Sequence, residues 1–207
     1  FYLLSIIVLF YRKYKLNLIK KANFYLYFII TLIPLVYWRF YIKNFPEGIP
    51  ASSWLLNGGN IRFKGAFFRW IIAERLGKLI LAYGGFVLFW LGIILKPLRK
   101  NIFFYTFLLS SIIYVIVFAR GNVQHDYYQI PIIPSLAIFT ALGAKELWLK
   151  SKLILISLTL MLLAFGWYEI KGDFNINHPE IVEAGKVLDQ IAPPNALVIA
   201  PYDGDTA

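Results

Sequence analysis

A short polar stretch, residues 120–129, lies between two long apolar runs and holds the side chains best suited to chemistry. Its ionisable and aromatic members are Arg120, His125, Asp126, Tyr127 and Tyr128. An arginine offers a planar fork for a phosphate, a histidine can donate, accept or bind a metal, and a tyrosine ring suits a sugar face. Because ionisable groups beside a hydrocarbon layer are costly to desolvate, we expect this stretch to bind a polar ligand.

The same residues also have an ordinary structural explanation. Tyr127 and Tyr128 could belong to the aromatic belt of a membrane interface, and His125 with Asp126 could form a solvated loop. Two prolines, Pro131 and Pro134, follow and restrict the start of the next apolar run. The stretch should therefore have a defined, partly irregular shape, and both interpretations stay open.

The elements that must position these residues are membrane helices. The 207-residue chain is 59% hydrophobic and 18% aromatic, with a mean hydropathy of +0.65. These values are typical of a polytopic helical membrane protein. The sequence has no cysteine, so disulfide and thiol chemistry play no part in it.

Six apolar segments predict about six transmembrane helices, at 1–11, 23–42, 79–95, 102–119, 130–149 and 153–168. Before the third segment, aromatic and basic residues alternate and predict a helix that lies in the membrane interface. Its region holds four candidate contacts for a lipid phosphate, namely Arg62, Lys64, Arg69 and Arg75. The chain begins inside an apolar run and stops without a terminating signal, so we expect it to be a fragment of a longer protein.

The basic residues predict the topology. Loops 12–21, 96–100 and 145–152 hold eleven of the 21 Lys and Arg residues and a single acid, Glu146. By the positive-inside rule these loops are cytoplasmic. The protein is then a multi-pass protein of the cell membrane. Its extracytoplasmic regions are the outer loops 43–78 and 120–129 and the tail 171–207. The positive charge of the three cytoplasmic loops indicates contact with anionic membrane lipids and argues against a nucleic acid partner.

The tail predicts a second, extracytoplasmic domain. Pro179 begins an amphipathic helix, residues 196–200 read as a short buried strand, and a loop with Asp203 and Asp205 follows. These two acids could bind a cation, although acids in a glycine-containing loop usually form only a turn. The expected fold is an all-α polytopic membrane bundle over 1–170, followed by the start of a small α/β domain over 171–207.

The run from His125 through Tyr127 and Tyr128 to Pro131 and Pro134 resembles the His-x-Tyr-Tyr…Pro…Pro segment of GT-C fold membrane glycosyltransferases. The closest group is the protein mannosyltransferase and aminoarabinose transferase-like family. The order of spans, late outer loop, final span and outer domain is also similar. This resemblance covers most of the chain, but its motifs lie in the later half. It implies sugar transfer from a polyprenyl-phosphate donor to a lipid, glycan or protein acceptor on the outer face.

The resemblance also implies roles for individual residues. Arg120, His125, Tyr127 and Tyr128 are expected near the phosphate and sugar of the donor. The family's catalytic base is an acid in its first outer loop, which should precede this sequence, so no catalytic residue is assigned. Some relatives hold a divalent cation, for which His125 is a candidate ligand without a visible partner, so no metal site is assigned.

Three alternatives remain at this point. A transporter or flippase subunit would explain the spans, and so would a non-catalytic membrane subunit. An oligosaccharide polymerase or ligase would also use a lipid-linked sugar. A coupled transporter should carry ionisable residues within its spans, and the sequence has almost none there, since Arg39 and Glu169 lie at predicted ends.

Overall fold

The computed structural model describes residues 2–45, 53–95, 98–176, 179–193, 195 and 196. Within these ranges the chain is helical, with short connections and no strand. Contacts divide the chain into two units, Phe1–Glu169 and Ile170–Ala207. The prediction of a helical bundle is therefore confirmed at the level of fold class.

The first unit is built from nine α-helices joined by 3-10 and π-helical segments within the described residues. The α-helices are α1 (Leu3–Tyr14), α2 (Ala22–Tyr41), α3 (Ser53–Asn57), α4 (Gly65–Arg69), α5 (Gly84–Leu95), α6 (Leu98–Val117), α7 (Ala119–Gln124), α8 (Ile133–Lys150) and α9 (Lys152–Ile170). A π-helix, Trp70–Ile80, continues α4. The 3-10 segments Lys15–Lys20, Gly58–Phe63 and Asp126–Ile132 precede α2, α4 and α8.

The expected number of six membrane spans is not supported. In the part of the chain that the structure describes, three helices are long and apolar enough to cross a membrane, at Ala22–Asn44, Asp126–Lys150 and Lys152–Ile170. A fourth span results if Gly65–Ile80 and Gly84–Leu95, which are bent by 114°, act together. The difference arises from length, because α1 and α5 have 12 residues each and the apolar helix Asn101–Val117 has 17, whereas a span needs about 20.

The bend before α5 is made by two non-glycine residues in the left-handed region. Ala82 has a φ of 43° and Tyr83 a φ of 57°, values that L-residues adopt rarely. The helix Gly65–Ile80 thus leads into α5 through a sharp turn. The interfacial helix stays a prediction, because α5 alone has 12 residues and is shorter than a span.

Helices α5 and α8 cross with their backbones almost in contact. A Cβ atom at Gly92 would lie 1.9 Å from the carbonyl oxygen of Phe139, and one at Gly143 would lie 1.9 Å from the carbonyl oxygen of Leu88. Only residues without a side chain allow this approach. Small residues at helix crossings are typical of membrane bundles, where close packing replaces the hydrophobic effect.

The core of the unit surrounds this crossing. Phe139 is fully buried and meets Phe89 and Tyr105 edge to face, with ring centroids 6.2 and 5.0 Å away. Two buried serines join α6 to α8, because Ser135 Oγ donates to Ser111 Oγ over 2.9 Å. Hydrogen bonds between polar side chains stabilise helix pairs in an apolar surrounding.

The tail is described as helix only. Helix α10 (Pro179–Ile191) begins at the proline, as predicted, and carries the expected apolar stripe. Positions 197–200 of the predicted strand and the loop with Asp203 and Asp205 lie outside the described residues. The α/β domain expected from the sequence therefore has no support in the structure.

Candidate functional site

The polar stretch folds as a short helix followed by a 3-10 segment. Arg120 is the second residue of α7, and His125 joins α7 to the segment Asp126–Ile132 with an extended backbone. Tyr127 and Tyr128 lie in that segment. The four residues predicted to bind substrate thus belong to one continuous segment, residues 120–128, which precedes α8.

Two tyrosine hydroxyls bond carbonyl groups in the segment that carries the prolines. A proline has no N–H, so Pro131, which lies in the 3-10 segment, cannot bond the Tyr128 carbonyl three residues earlier. The Tyr114 hydroxyl donates to the Tyr128 carbonyl over 2.8 Å, and the Tyr2 hydroxyl donates to the Pro131 carbonyl. Side chains from α6 and the chain start therefore fix the irregular shape that the prolines predict.

Three of the predicted site residues form one aromatic cluster. The His125 ring is stacked on Tyr127 with centroids 5.2 Å apart, and it lies 5.9 Å from the Tyr128 ring. The Tyr127 and Tyr128 rings are 4.9 Å apart. Tyr127 is 60% exposed, so much of its side chain is accessible at the surface.

Arg120 lies beside this cluster without joining it. Its Nη1 atom lies next to Gly59, where an added Cβ would be 3.5 Å away. Its neighbour Gly121 provides the link to the rings, since a Cβ there would lie 3.5 Å from the ring of Tyr128. Within the described residues, the Arg120 guanidinium makes no hydrogen bond or ion pair.

Arg75 is the cation that contacts the polar stretch most extensively. Its Nη1 forms an ion pair with Asp126, and its Nη2 donates to the Val123 carbonyl over 3.0 Å. The guanidinium also lies over the Trp70 ring, 5.1 Å from its centroid. Trp70 Nε1 donates to the same Val123 carbonyl over 3.2 Å. A π-helix bonds residues five apart, which explains why Trp70 and Arg75 face the same way.

Arg62 performs a capping role. Its Nη2 donates to the Leu56 carbonyl over 2.9 Å and to the Val117 carbonyl over 3.2 Å. Val117 ends α6, where carbonyls lack helical partners. Arg62 and Arg75, two of the four candidates for lipid phosphate, are thus engaged within the protein. Lys64 and Arg69 remain exposed.

These bonds join the first predicted outer loop to the second. Arg62, Trp70 and Arg75 all reach residues at the end of α6 or in α7, and α3 packs on α7. The sequence predicts both loops on one side of the membrane, and the structure packs them together. The membrane side itself stays a prediction.

Two buried amides were not anticipated from the sequence. Gln129 Nε2 donates to the Asn122 carbonyl, and Asn122 Nδ2 donates to the Phe118 carbonyl over 3.0 Å. The side-chain oxygens of Asn122 and Gln129 are buried and accept no hydrogen bond in the described part of the chain. They add two buried hydrogen-bond acceptors to the polar stretch.

An apolar cavity of about 380 Å³ lies next to this region. Its walls come from the helix Gly65–Ile80, from α5 and from α6, and residue Ile132 closes one side. Phe68, Ile72, Trp90 and Ile112 line it and are also exposed at the surface. A cavity with these walls suits a hydrocarbon chain that enters from the membrane.

The described residues contain no group of three or more His, Asp or Glu side chains that could hold a metal ion. Asp126, the acid next to His125, is engaged by Arg75. The described residues therefore add no support for His125 as a metal ligand. Asp203 and Asp205 lie outside the described residues.

Comparisons with protein-family models, with curated proteins and with solved structures found no match to this chain. The resemblance to GT-C glycosyltransferases therefore stays a prediction from the sequence.

Proposed function

We propose that this chain is part of a membrane glycosyltransferase of the GT-C type. The enzyme would transfer a sugar from a polyprenyl-phosphate donor to a lipid, glycan or protein acceptor at the outer face of the membrane. The observation that carries the proposal is the guanidinium of Arg120, which has no polar partner among the described residues. A guanidinium without partners is costly to place beside apolar helices, and a phosphate would satisfy this one with two parallel hydrogen bonds.

The aromatic cluster supports a sugar beside that phosphate. Tyr127 is largely exposed, and tyrosine rings stack well on the apolar face of a sugar. His125 lies against the same ring. Phosphate and sugar are covalently joined in the donor, which fits a cation and an aromatic cluster that belong to the same short turn of chain.

The apolar cavity supports a long hydrocarbon tail. Ile116, one of its lining residues, lies four positions before Arg120, and Ile132 lies four positions after Tyr128. A tail in the cavity would bring its phosphate near the start of α7. One donor could therefore contact the cavity, Arg120 and the rings together.

The reaction is a direct displacement at the anomeric carbon. An acidic base removes the proton of the acceptor hydroxyl, the acceptor oxygen forms a bond to the anomeric carbon, and the bond from that carbon to the phosphate oxygen breaks. The lipid phosphate leaves with its electron pair and a developing negative charge. Arg120 stabilises that charge, and no residue of this chain is assigned as the base.

The test is donor consumption in membrane vesicles that contain the full-length protein, with a panel of polyprenyl-phosphate sugars. We expect Arg120→Ala to reduce turnover by about 100-fold or more, because a pre-positioned donor to a developing charge is lost. His125→Ala should also reduce turnover. Arg39→Ala is the matched control, since this exposed arginine ends α2 away from the site, and it should turn over like the wild type.

Near-normal turnover by well-expressed Arg120→Ala would reject the role of Arg120. Failure of the wild type to consume any donor would reject the glycosyltransferase and favour a transporter or flippase subunit. One observation favours that alternative, because Lys78 and the largely buried Glu169 form an ion pair over 3.3 Å between apolar helices. Paired ionisable groups among membrane helices often mark a transport path.

A further inference from the structure

The loop between α1 and α2 concentrates positive charge. It contains five cations, Arg12, Lys13, Lys15, Lys20 and Lys21, and all five are exposed. The sequence has no acid before Glu47, and within the described residues no ion pair joins these cations to a carboxylate. Such a cluster attracts anions strongly, and the attraction adds up over its members.

Two tyrosine rings gather three of these lysines. The ammonium groups of Lys13 and Lys21 lie over the Tyr14 ring, 5.1 and 5.4 Å from its centroid. Lys15 lies over the Tyr11 ring at 5.8 Å. A ring holds an ammonium group by its negative face and leaves the other N–H bonds free to donate. The lysines are therefore pre-positioned and still able to bind an anion.

The surrounding contacts keep this arrangement in place. Phe10 of α1 meets Phe24 of α2 edge to face, with centroids 5.3 Å apart. The Tyr25 hydroxyl donates to the Ile19 carbonyl over 2.7 Å and so ties the 3-10 segment to α2. The basic cluster is thus part of a helical hairpin whose two helices contact each other through side chains.

Exposed apolar residues between the lysines indicate what kind of anion fits. Leu16 and Ile19 lie in the same 3-10 segment and are 79% and 62% exposed. The candidate span Ala22–Asn44 follows at once, and its early apolar residues are exposed too. A free phosphate would make no use of these surfaces, whereas a phospholipid would place its headgroup on the lysines and its chains on the apolar side chains.

We propose that Lys13, Lys15 and Lys21, held by Tyr11 and Tyr14, bind the headgroup of an anionic phospholipid in the leaflet that faces loop 12–21. The site is separate from the polar stretch and does not depend on the proposed sugar transfer. It would anchor the α1–α2 hairpin to one surface of the membrane.

The test measures binding to the full-length protein in a neutral detergent. The probes are dioctanoyl phosphatidylglycerol, dioctanoyl phosphatidylcholine and inorganic phosphate, each titrated separately. We expect dioctanoyl phosphatidylglycerol, the anionic lipid, to bind more tightly than dioctanoyl phosphatidylcholine or inorganic phosphate. The double variant Lys13→Gln with Lys21→Gln should weaken its binding by about 25-fold, or about fivefold for each lysine removed.

Two controls separate the site from general charge. Lys145→Gln with Lys150→Gln removes the same charge from another predicted cytoplasmic loop and should leave binding unchanged. Tyr14→Leu removes the ring at constant charge and should weaken binding, whereas Tyr14→Phe keeps the ring and should bind normally.

Several results would overturn the proposal. Equal affinity for the two lipids would remove the requirement for an anionic headgroup, and equal affinity for inorganic phosphate would show an anion site without lipid character. An equal loss in the Lys145 and Lys150 control would show a nonspecific charge effect. Normal binding by Tyr14→Leu would remove the role of the ring.

Discussion

Three arginines near the polar stretch differ in what surrounds their guanidinium groups. Arg62 bonds carbonyls that end helices, and Arg75 bonds a carbonyl, a carboxylate and an indole ring. Arg120 has no such partner in the ranges that the structure describes. Because a bonded guanidinium has few donors left, Arg62 and Arg75 stabilise the fold while Arg120 keeps its binding capacity.

Arg75→Ala should destabilise the protein by about 2 kcal/mol, since it removes charged hydrogen bonds from a site where the side chain is 14% exposed. Asp126→Asn should cost less, because Asp126 is largely exposed and such pairs contribute little. The free energy of unfolding in mixed micelles, measured for both variants, checks the order. A larger effect for Asp126→Asn would contradict it.

Tyr114→Phe should lower the free energy of unfolding by about 1 kcal/mol, because it removes the donor to the Tyr128 carbonyl next to Pro131. Tyr37→Phe is the control, since the Tyr37 ring lies exposed and stacked on Tyr41. Both variants are compared by unfolding in the same micelles. Equal stability of the two variants would show that the bond to the Tyr128 carbonyl contributes nothing.

Between helices, the decisive contact is the crossing of α5 and α8 at Gly92 and Gly143. The approach is so close that a single methyl group would meet a backbone carbonyl, which cannot move aside as a side chain can. The crossing also sets the position of α5, one wall of the apolar cavity.

Gly92→Ala or Gly143→Ala should therefore each destabilise the bundle by about 1–3 kcal/mol, because the helices must separate to admit the methyl group. Gly65→Ala is the matched control, as an added Cβ there has no atom within 4 Å. Unfolding in mixed micelles compares the three variants. The proposed backbone contact would be wrong if Gly92→Ala were as stable as Gly65→Ala.

For the chain as a whole, the distribution of Lys and Arg residues predicts the membrane topology, which labelling can test. These 207 residues contain no cysteine, so within them each introduced cysteine is the only thiol to label. Asn17→Cys lies in a basic loop and Gln124→Cys in the polar stretch, and both positions are exposed. By the positive-inside rule, a membrane-impermeant maleimide added to intact cells should label Gln124→Cys and not Asn17→Cys. The reverse pattern would invert the topology.

Local features of the sequence predict much of this fold. Apolar composition predicts helices, Pro179 predicts the start of α10, and Pro131 and Pro134 predict an irregular start to α8. These features depend on residues within a turn or two of one another, so the sequence carries them directly. The expected number of spans is not supported, because hydropathy shows neither where Ala82 and Tyr83 bend the chain nor how short α1 and the helix Asn101–Val117 are.

By itself, the sequence determines a largely helical and strongly apolar chain that gathers Arg120, His125, Asp126, Tyr127 and Tyr128 in a short polar stretch. Only the tertiary structure decides that Arg75 is bonded to that stretch, and that the Tyr114 and Tyr2 hydroxyls bond the carbonyls of Tyr128 and Pro131. These partners lie far apart along the chain. Their contacts arise from how helices cross, which is fixed by the packing of Gly92 against Gly143 and of the core around it, and no local pattern encodes that geometry.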